Sequence, residues 1–142
     1  MGPPYPKFTS QLLRNASGVD NDLPRCDAIY VNAGATRPAA SWLDCLTENG
    51  RLLFPLSGSE LSRAGVSLLV TRLKGSFAAR VIGYCGFVAC RDAWDAGEAA
   101  RVTAAIYSGK LWMAQSLIRN DEADSSAVLV GKGWWFSSSP AG

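Results

Sequence analysis

"AIYVNAGATRP" (residues 28–38) runs four apolar or aromatic residues straight into Asn32, then three small residues, a threonine, an arginine and a proline. A short apolar run bounded by turn formers predicts a strand over Asp27–Val31, "DAIYV", covered on both faces. "RPAASWLDCLTENG" (Arg37–Gly50) predicts a helix. Pro38 suits its first turn, Ala39, Trp42, Leu43 and Leu46 share a face, and Gly50 can serve as the left-handed stop. "RLLFPL" (Arg51–Leu56) predicts a second buried strand, with Pro55 ending its pairing. Strand, helix, strand leaves room for a right-handed parallel crossover. The two carboxyl ends, at Asn32 and at Leu56–Ser57, then share one sheet edge, where open α/β sheets bind ligands. The small residues 33–35 are thus either a ligand mouth or a tight turn before a helix.

Upstream, "FTSQLLR" (Phe8–Arg14) can form a strand, and "NASGVDNDLPR" (Asn15–Arg25) is dense in turn formers and reads as a loop. Asp20 and Asp22 there read as a solvated pair. Downstream, "GVSLLVTRL" (Gly65–Leu73), "KGS" (Lys74–Ser76) and "FAARVIGYCGFVAC" (Phe77–Cys90) predict an antiparallel hairpin. Gly83 and Gly86 mark a bulge or bend in its second arm. "DAGEAARVTAAIYSG" (Asp95–Gly109) predicts a helix closed by Gly109. "LWMAQSLIR" (Leu111–Arg119) and "AVLVGKGWWF" (Ala127–Phe136) predict two further strands. Trp134, Trp135 and Phe136 read as core or as an oligomer face. The organisation divides at residue 92, with residues 1–92 as the first unit and 93–142 as a C-terminal α/β extension.

The 142 residues are 48% hydrophobic and 18% charged, with net charge +2. This balance suits a folded chain with one modest core. No basic block argues for nucleic acid. No apolar segment is long enough for a membrane span, and "MGPPYPKF" lacks a secretory apolar region, so the expected location is the cytoplasm. The four cysteines, Cys26, Cys45, Cys85 and Cys90, form no C-x-x-C pair, and histidine is absent. Zinc is therefore not expected, the usual general base is missing, and the thiols read as free.

The stretch "CDAIYVNAGATRPAASWLDCLTENGRLLFPLSGS" (residues 26–59) resembles the protein-L-isoaspartate O-methyltransferases. Asp27-Ala28-Ile29 match a strand opening of that family and Asn32–Thr36 its small-residue turn. Leu46–Leu52 match its Leu-x-x-Gly-Gly-Arg-Leu block, with Asn49 in place of the first glycine. The hairpin Val66–Cys90 is similar to its last two antiparallel strands, and the resemblance covers about residues 8–90. It implies a partial Rossmann-like methyltransferase sheet of the α/β class: a parallel strand–helix–strand, then an antiparallel hairpin. It implies methyl transfer from S-adenosyl-L-methionine (SAM) to isoaspartyl carboxylates of damaged protein. Such a reaction needs alignment more than acid–base chemistry, which suits a chain without histidine. By resemblance, Ser17, Gly18, Asn32, Ala33 and Gly34 face the cofactor, and Ala35, Thr36, Pro55, Leu56 and Ser57 face the substrate.

The chain departs from the family in lacking the glycine-rich cofactor loop and the acidic ribose contact. Ala16-Ser17-Gly18 stand where the family has Gly-Asp-Gly. The implied reading is the C-terminal half of a methyltransferase plus an extension, inactive alone and completed by an N-terminal half on another chain. Two alternatives stand beside it. One is a non-catalytic α/β protein that self-associates through an open sheet edge into a homo-oligomer. The other is a short-chain dehydrogenase, which shares an Asn-Ala-Gly turn; here Tyr107 and Lys110 are three apart where that family needs four.

Overall fold

The computed structural model describes residues 23–59, 65–86, 89–90 and 93–142. The expected strand at Phe8–Arg14 and most of the loop that follows, with Ser17, Gly18, Asp20 and Asp22, lie outside the described residues. The protein is α/β; the described residues form one mixed seven-stranded sheet with two α-helices. The strands are β1 (Cys26–Tyr30), β2 (Leu46–Ser57), β3 (Gly65–Arg72), β4 (Phe77–Tyr84), β5 (Ser116–Ile118), β6 (Ala127–Val130) and β7 (Trp135–Ser137). The helices are α1 (Ala40–Cys45) and α2 (Ala96–Tyr107), with a 3-10 turn at Lys110–Met113. The strand order is β1-β2-β3-β4-β5-β7-β6. Only β1 and β2 are parallel; every other pair is antiparallel. The sheet is therefore mostly antiparallel.

The expected helix over residues 37–50 is shorter: α1 ends at Cys45 and β2 begins at Leu46. The β1–β2 ladder explains the difference. Cys26 pairs with Leu46, but Ala28 pairs with Arg51, so Thr47–Gly50 loop out of β2. Asn49 takes the left-handed conformation (φ 66) that the reading assigned to Gly50. Gly50 is needed for another reason. A Cβ there would lie 2.8 Å from the Thr47 carbonyl oxygen and 3.2 Å from that of Cys26.

The strands of the sheet's centre alternate rather than bury both faces. Leu52, Phe54 and Leu56 are fully buried, whereas Arg51 is exposed and Leu53 half-buried. Val66, Leu68 and Val70 of β3 continue the same apolar layer. α1 contributes Trp42, whose ring meets Phe54 with centroids 5.8 Å apart. α2 buries Ala99, Val102, Ala105 and Ile106. β1 was expected to be covered on both faces, but Ala28 and Tyr30 are exposed and Ile29 packs on the core. The cause is position: β1 is an edge strand among the described residues.

The hairpin forms as expected, with β3 and β4 joined at Lys74–Ser76. Ser67 pairs with Gly83 and Leu68 with Val81, so Ile82 is the extra residue of a bulge beside Gly83. Downstream, where the sequence predicts two strands, three short ones form. Leu111–Met113 belong to the 3-10 turn, and the chain reverses between β6 and β7. That reversal stacks Trp134 so closely over Gly131 that a Cβ would lie 2.1 Å from its ring. Trp134 and Phe136 join the core and meet edge to face at 5.6 Å.

Candidate functional site

The carboxyl ends of β1 and β2 do come together, and hydrogen bonds define how. The Val31 N–H donates to the Leu53 carbonyl (2.9 Å), and the Ala35 N–H to that of Pro55 (2.8 Å). Ser57 N–H then donates back to the Ala35 carbonyl (2.7 Å), giving a parallel bridge between Ala35 and Leu56. Two residues of β2 thus span four of the segment that continues β1, and Asn32–Gly34 bow out of the ladder. An extended residue points its N–H and C=O to the same side, so the missing N–H of Pro55 faces this excursion. Proline is tolerated inside a paired strand because the ladder is already broken there.

The bowed segment is covered by the protein's own backbone. Gly34 bridges Ala89, and its carbonyl accepts from the Cys90 N–H (2.6 Å). The Thr36 N–H donates to the Ala93 carbonyl (2.7 Å). Ala33, Gly34, Ala35 and Thr36 are all buried. Their small size admits a neighbouring strand of chain at close range. On the second strand end, Pro55 and Leu56 are also buried and Ser57 half-buried. Among the described residues that the resemblance assigns to cofactor or substrate, Asn32 alone is exposed.

Beneath the excursion lies a polar latch to α2. Asp95 caps the helix by accepting from the Glu98 N–H (2.9 Å). An acidic residue at the third helical position often reaches back to its own cap. Here the Glu98 carboxylate instead accepts from the Thr36 hydroxyl (2.8 Å) and from the Arg37 guanidinium (2.7 Å). The Asp95 N–H donates to the Thr36 oxygen (3.0 Å). Ser59 extends the contact along α2, its N–H donating to the Thr103 hydroxyl (2.8 Å). Burial of Glu98 is therefore compensated by an opposite charge and a hydroxyl.

Arg37 and Glu98 were not singled out by sequence. The Asp95-x-x-Glu98 spacing was a visible helix-start signal, but nothing local tied it to Thr36, 62 residues away. Tyr107 and Lys110 stand elsewhere. Tyr107 closes the end of α2 opposite Asp95, which puts it about 18 Å away along the axis at 1.5 Å per residue. The fold does not bring them to Asn32.

Asn32 offers one exposed polar side chain, and the backbone at Gly34 and Thr36 is engaged by Ala89, Cys90 and Ala93. Cavities open elsewhere. One of about 230 Å³ lies between β5, β7 and the C-terminal residues, with Ser116, Asp124, Ser126 and Ser137 on its wall. Another of about 260 Å³ lies beside Thr71, Arg80 and Gln115. Both fall below the size usual for drug-sized ligands. In the first, Ser126 donates to Asp124 (2.5 Å) and also bonds Ser137 (2.6 Å). The bonds from Ser126 hold the Asp124 carboxyl below the usual range, making it a weaker base. No helix among the described residues is long and apolar enough to cross a membrane. No family model matches the chain, and no curated protein matches it.

Proposed function

We propose that this chain carries the substrate side of a SAM-dependent methyltransferase of the isoaspartyl type and depends on a separate cofactor-bearing segment for activity. The observation that carries the reading is the conformation of Asn49. It stands where the resembling family has glycine, and it adopts the left-handed backbone that glycine takes most readily and asparagine next. The adjoining Gly50 admits no Cβ, matching the second glycine of that block. The parallel β1–α1–β2 unit followed by the β3–β4 hairpin supports the same reading. Asn32, at the carboxyl end of β1, is the residue left to meet a ligand, and the outer edge of β1 is the joint to the cofactor-bearing part.

Titration calorimetry of the purified chain with SAM is expected to show no stoichiometric binding, and tight binding would refute the dependence on a second segment. Methyl-labelled SAM, an isoaspartyl peptide and the N-terminal half of an isoaspartyl methyltransferase added in trans should together yield base-labile methyl ester. Ester formed equally well without this chain, or not formed with it, counts against the methyltransferase reading. A second reading, a non-catalytic self-associating α/β protein, is favoured by the backbone of Ala89, Cys90 and Ala93 bonding to Gly34 and Thr36. It predicts no ester under any combination.

A further inference from the structure

We propose that Cys26 and Cys45 form a reversible disulfide that staples the start of β1 to the junction of α1 and β2. The site is independent of the methyltransferase reading. In the parallel ladder Cys26 pairs with Leu46, and Cys45 is the residue before it. Paired strands lie about 4.7–4.9 Å apart. That spacing holds for Cys26 and Leu46, and Cys45, one residue away along the chain, lies beside the roughly 4.4–6.8 Å Cα range that a disulfide spans.

In the reduced protein the Cys26 thiol donates to the Pro24 carbonyl (3.1 Å) and the Cys45 thiol to the Trp42 carbonyl (3.3 Å), and the two thiols also act on one another. The Cys45 thiol is pushed up to about 11, first by burial and then by Cys26, through its charge and a side-chain hydrogen bond, while Arg25 acts in the other direction. Cys26 is half-buried and Cys45 buried. Their accessibility separates their roles: Cys26 is the thiol that an oxidant reaches first, and Cys45 is the thiol that resolves it.

The bond would matter because the start of β1 is weakly held. The ladder breaks between Cys26 and Ala28. Across the break the Thr47 hydroxyl reaches the Cys26 carbonyl (3.4 Å) and the Asp27 carboxylate (2.7 Å). A covalent bridge there would tie an edge strand to the body of the sheet.

Glutathione disulfide is the oxidant in balance. The Cys26 thiolate attacks one of its sulfurs, forming a mixed disulfide and releasing one glutathione thiolate. The Cys45 thiolate then attacks the Cys26 sulfur and releases the second. The two protein protons end on the two glutathiones, so the protein dithiol is oxidised and glutathione disulfide reduced.

The test uses the full chain equilibrated with glutathione disulfide under native conditions. Remaining thiols are alkylated in denaturant, and the linkage is mapped by peptide mass spectrometry. The expected result is a Cys26–Cys45 bridge with Cys85 and Cys90 alkylated, a raised thermal midpoint, and full reversal by dithiothreitol. Cys45→Ala should stop at a glutathione cap on Cys26. A bridge between other cysteines, a cap that persists on Cys26 in the parent chain, or an unreacted thiol pair would overturn the proposal. If the variant does not fold, the parent-chain map decides alone.

Discussion

Asn49 is the only non-glycine residue with positive φ among the described residues, and its neighbour Gly50 is packed against two backbone carbonyls. Asn49→Gly should leave stability nearly unchanged, whereas Asn49→Ala should cost about 1–2 kcal/mol for a side chain without local hydrogen-bonding capacity in that region. Gly50→Ala should cost more than Asn49→Ala, because backbone rather than a movable side-chain tip must yield. Urea denaturation of the three variants checks the order. A glycine-dependent turn was legible in "TENG", but its place was misread, since sequence cannot say which residue of the pair adopts the left-handed backbone. Thr36 makes a second residue-scale test. Thr36→Val keeps its shape but removes the donor to Glu98 and the acceptor for the Asp95 N–H, so a loss of about 1–3 kcal/mol is expected by the same measurement. The thiols predict a pH response. Cys45 is raised from 9.0 to about 11, mainly by burial, and burial also raises Cys85. The native state therefore holds more protons than the unfolded state above pH 9.0. Stability contributed by Cys45 is present in full below that pH and is lost as pH rises through about 11. Denaturation midpoints across this window should fall, and Cys45→Ala should make the fall shallower.

Among the elements, α1 shows best how far the sequence could be read. The apolar spacing at Ala39, Trp42, Leu43 and Leu46 suggests one long helical face, and all four are buried. Leu46, though, is buried from a strand. Burial at a position is compatible with either backbone when the apolar run is short. A six-residue helix without a side-chain cap is too short to persist alone, so its packing holds it. Trp42→Ala should then cost about 3–5 kcal/mol in urea denaturation, through loss of the Phe54 contact and the cavity left behind. A cost near zero would mean that α1 is held by its connections. By contrast α2 was legible almost to its ends, because Asp95 before it and Gly109 (φ 79) after it are local signals. β6 and β7 were read as one strand through "GKG". The strong apolar flanks masked a turn that the two glycines alone announced.

At the scale of the whole molecule, the sheet ends among the described residues in two edge strands, β1 and β6, each paired on one side. β1 bonds to β2 on one side, while Tyr30 is 66% exposed and Ala28 is exposed. An edge strand of this kind offers unpaired N–H and C=O groups, which template pairing with another chain unless charge, proline or a bulge intervenes. Inside β1, the sole charge is Asp27, and its carboxylate is engaged by the Thr47 hydroxyl at 2.7 Å. The one ladder irregularity lies at the strand's start, leaving Ala28–Tyr30 regular. The expected outcome is reversible self-association through β1, with a second copy adding its own β1 to the sheet. Sedimentation velocity over a range of concentrations should show a weight-average coefficient that rises with concentration. Tyr30→Lys places a charge on the edge without touching the core, so it should hold the coefficient at the monomer value while preserving the cooperative melt. The cofactor-bearing half proposed above would compete for the same edge, and its addition should likewise suppress the concentration dependence of the parent chain. A parent chain that sediments as a monomer at every concentration would mean that the outer side of β1 is already satisfied within one molecule, and that the edge is the joint to neither partner.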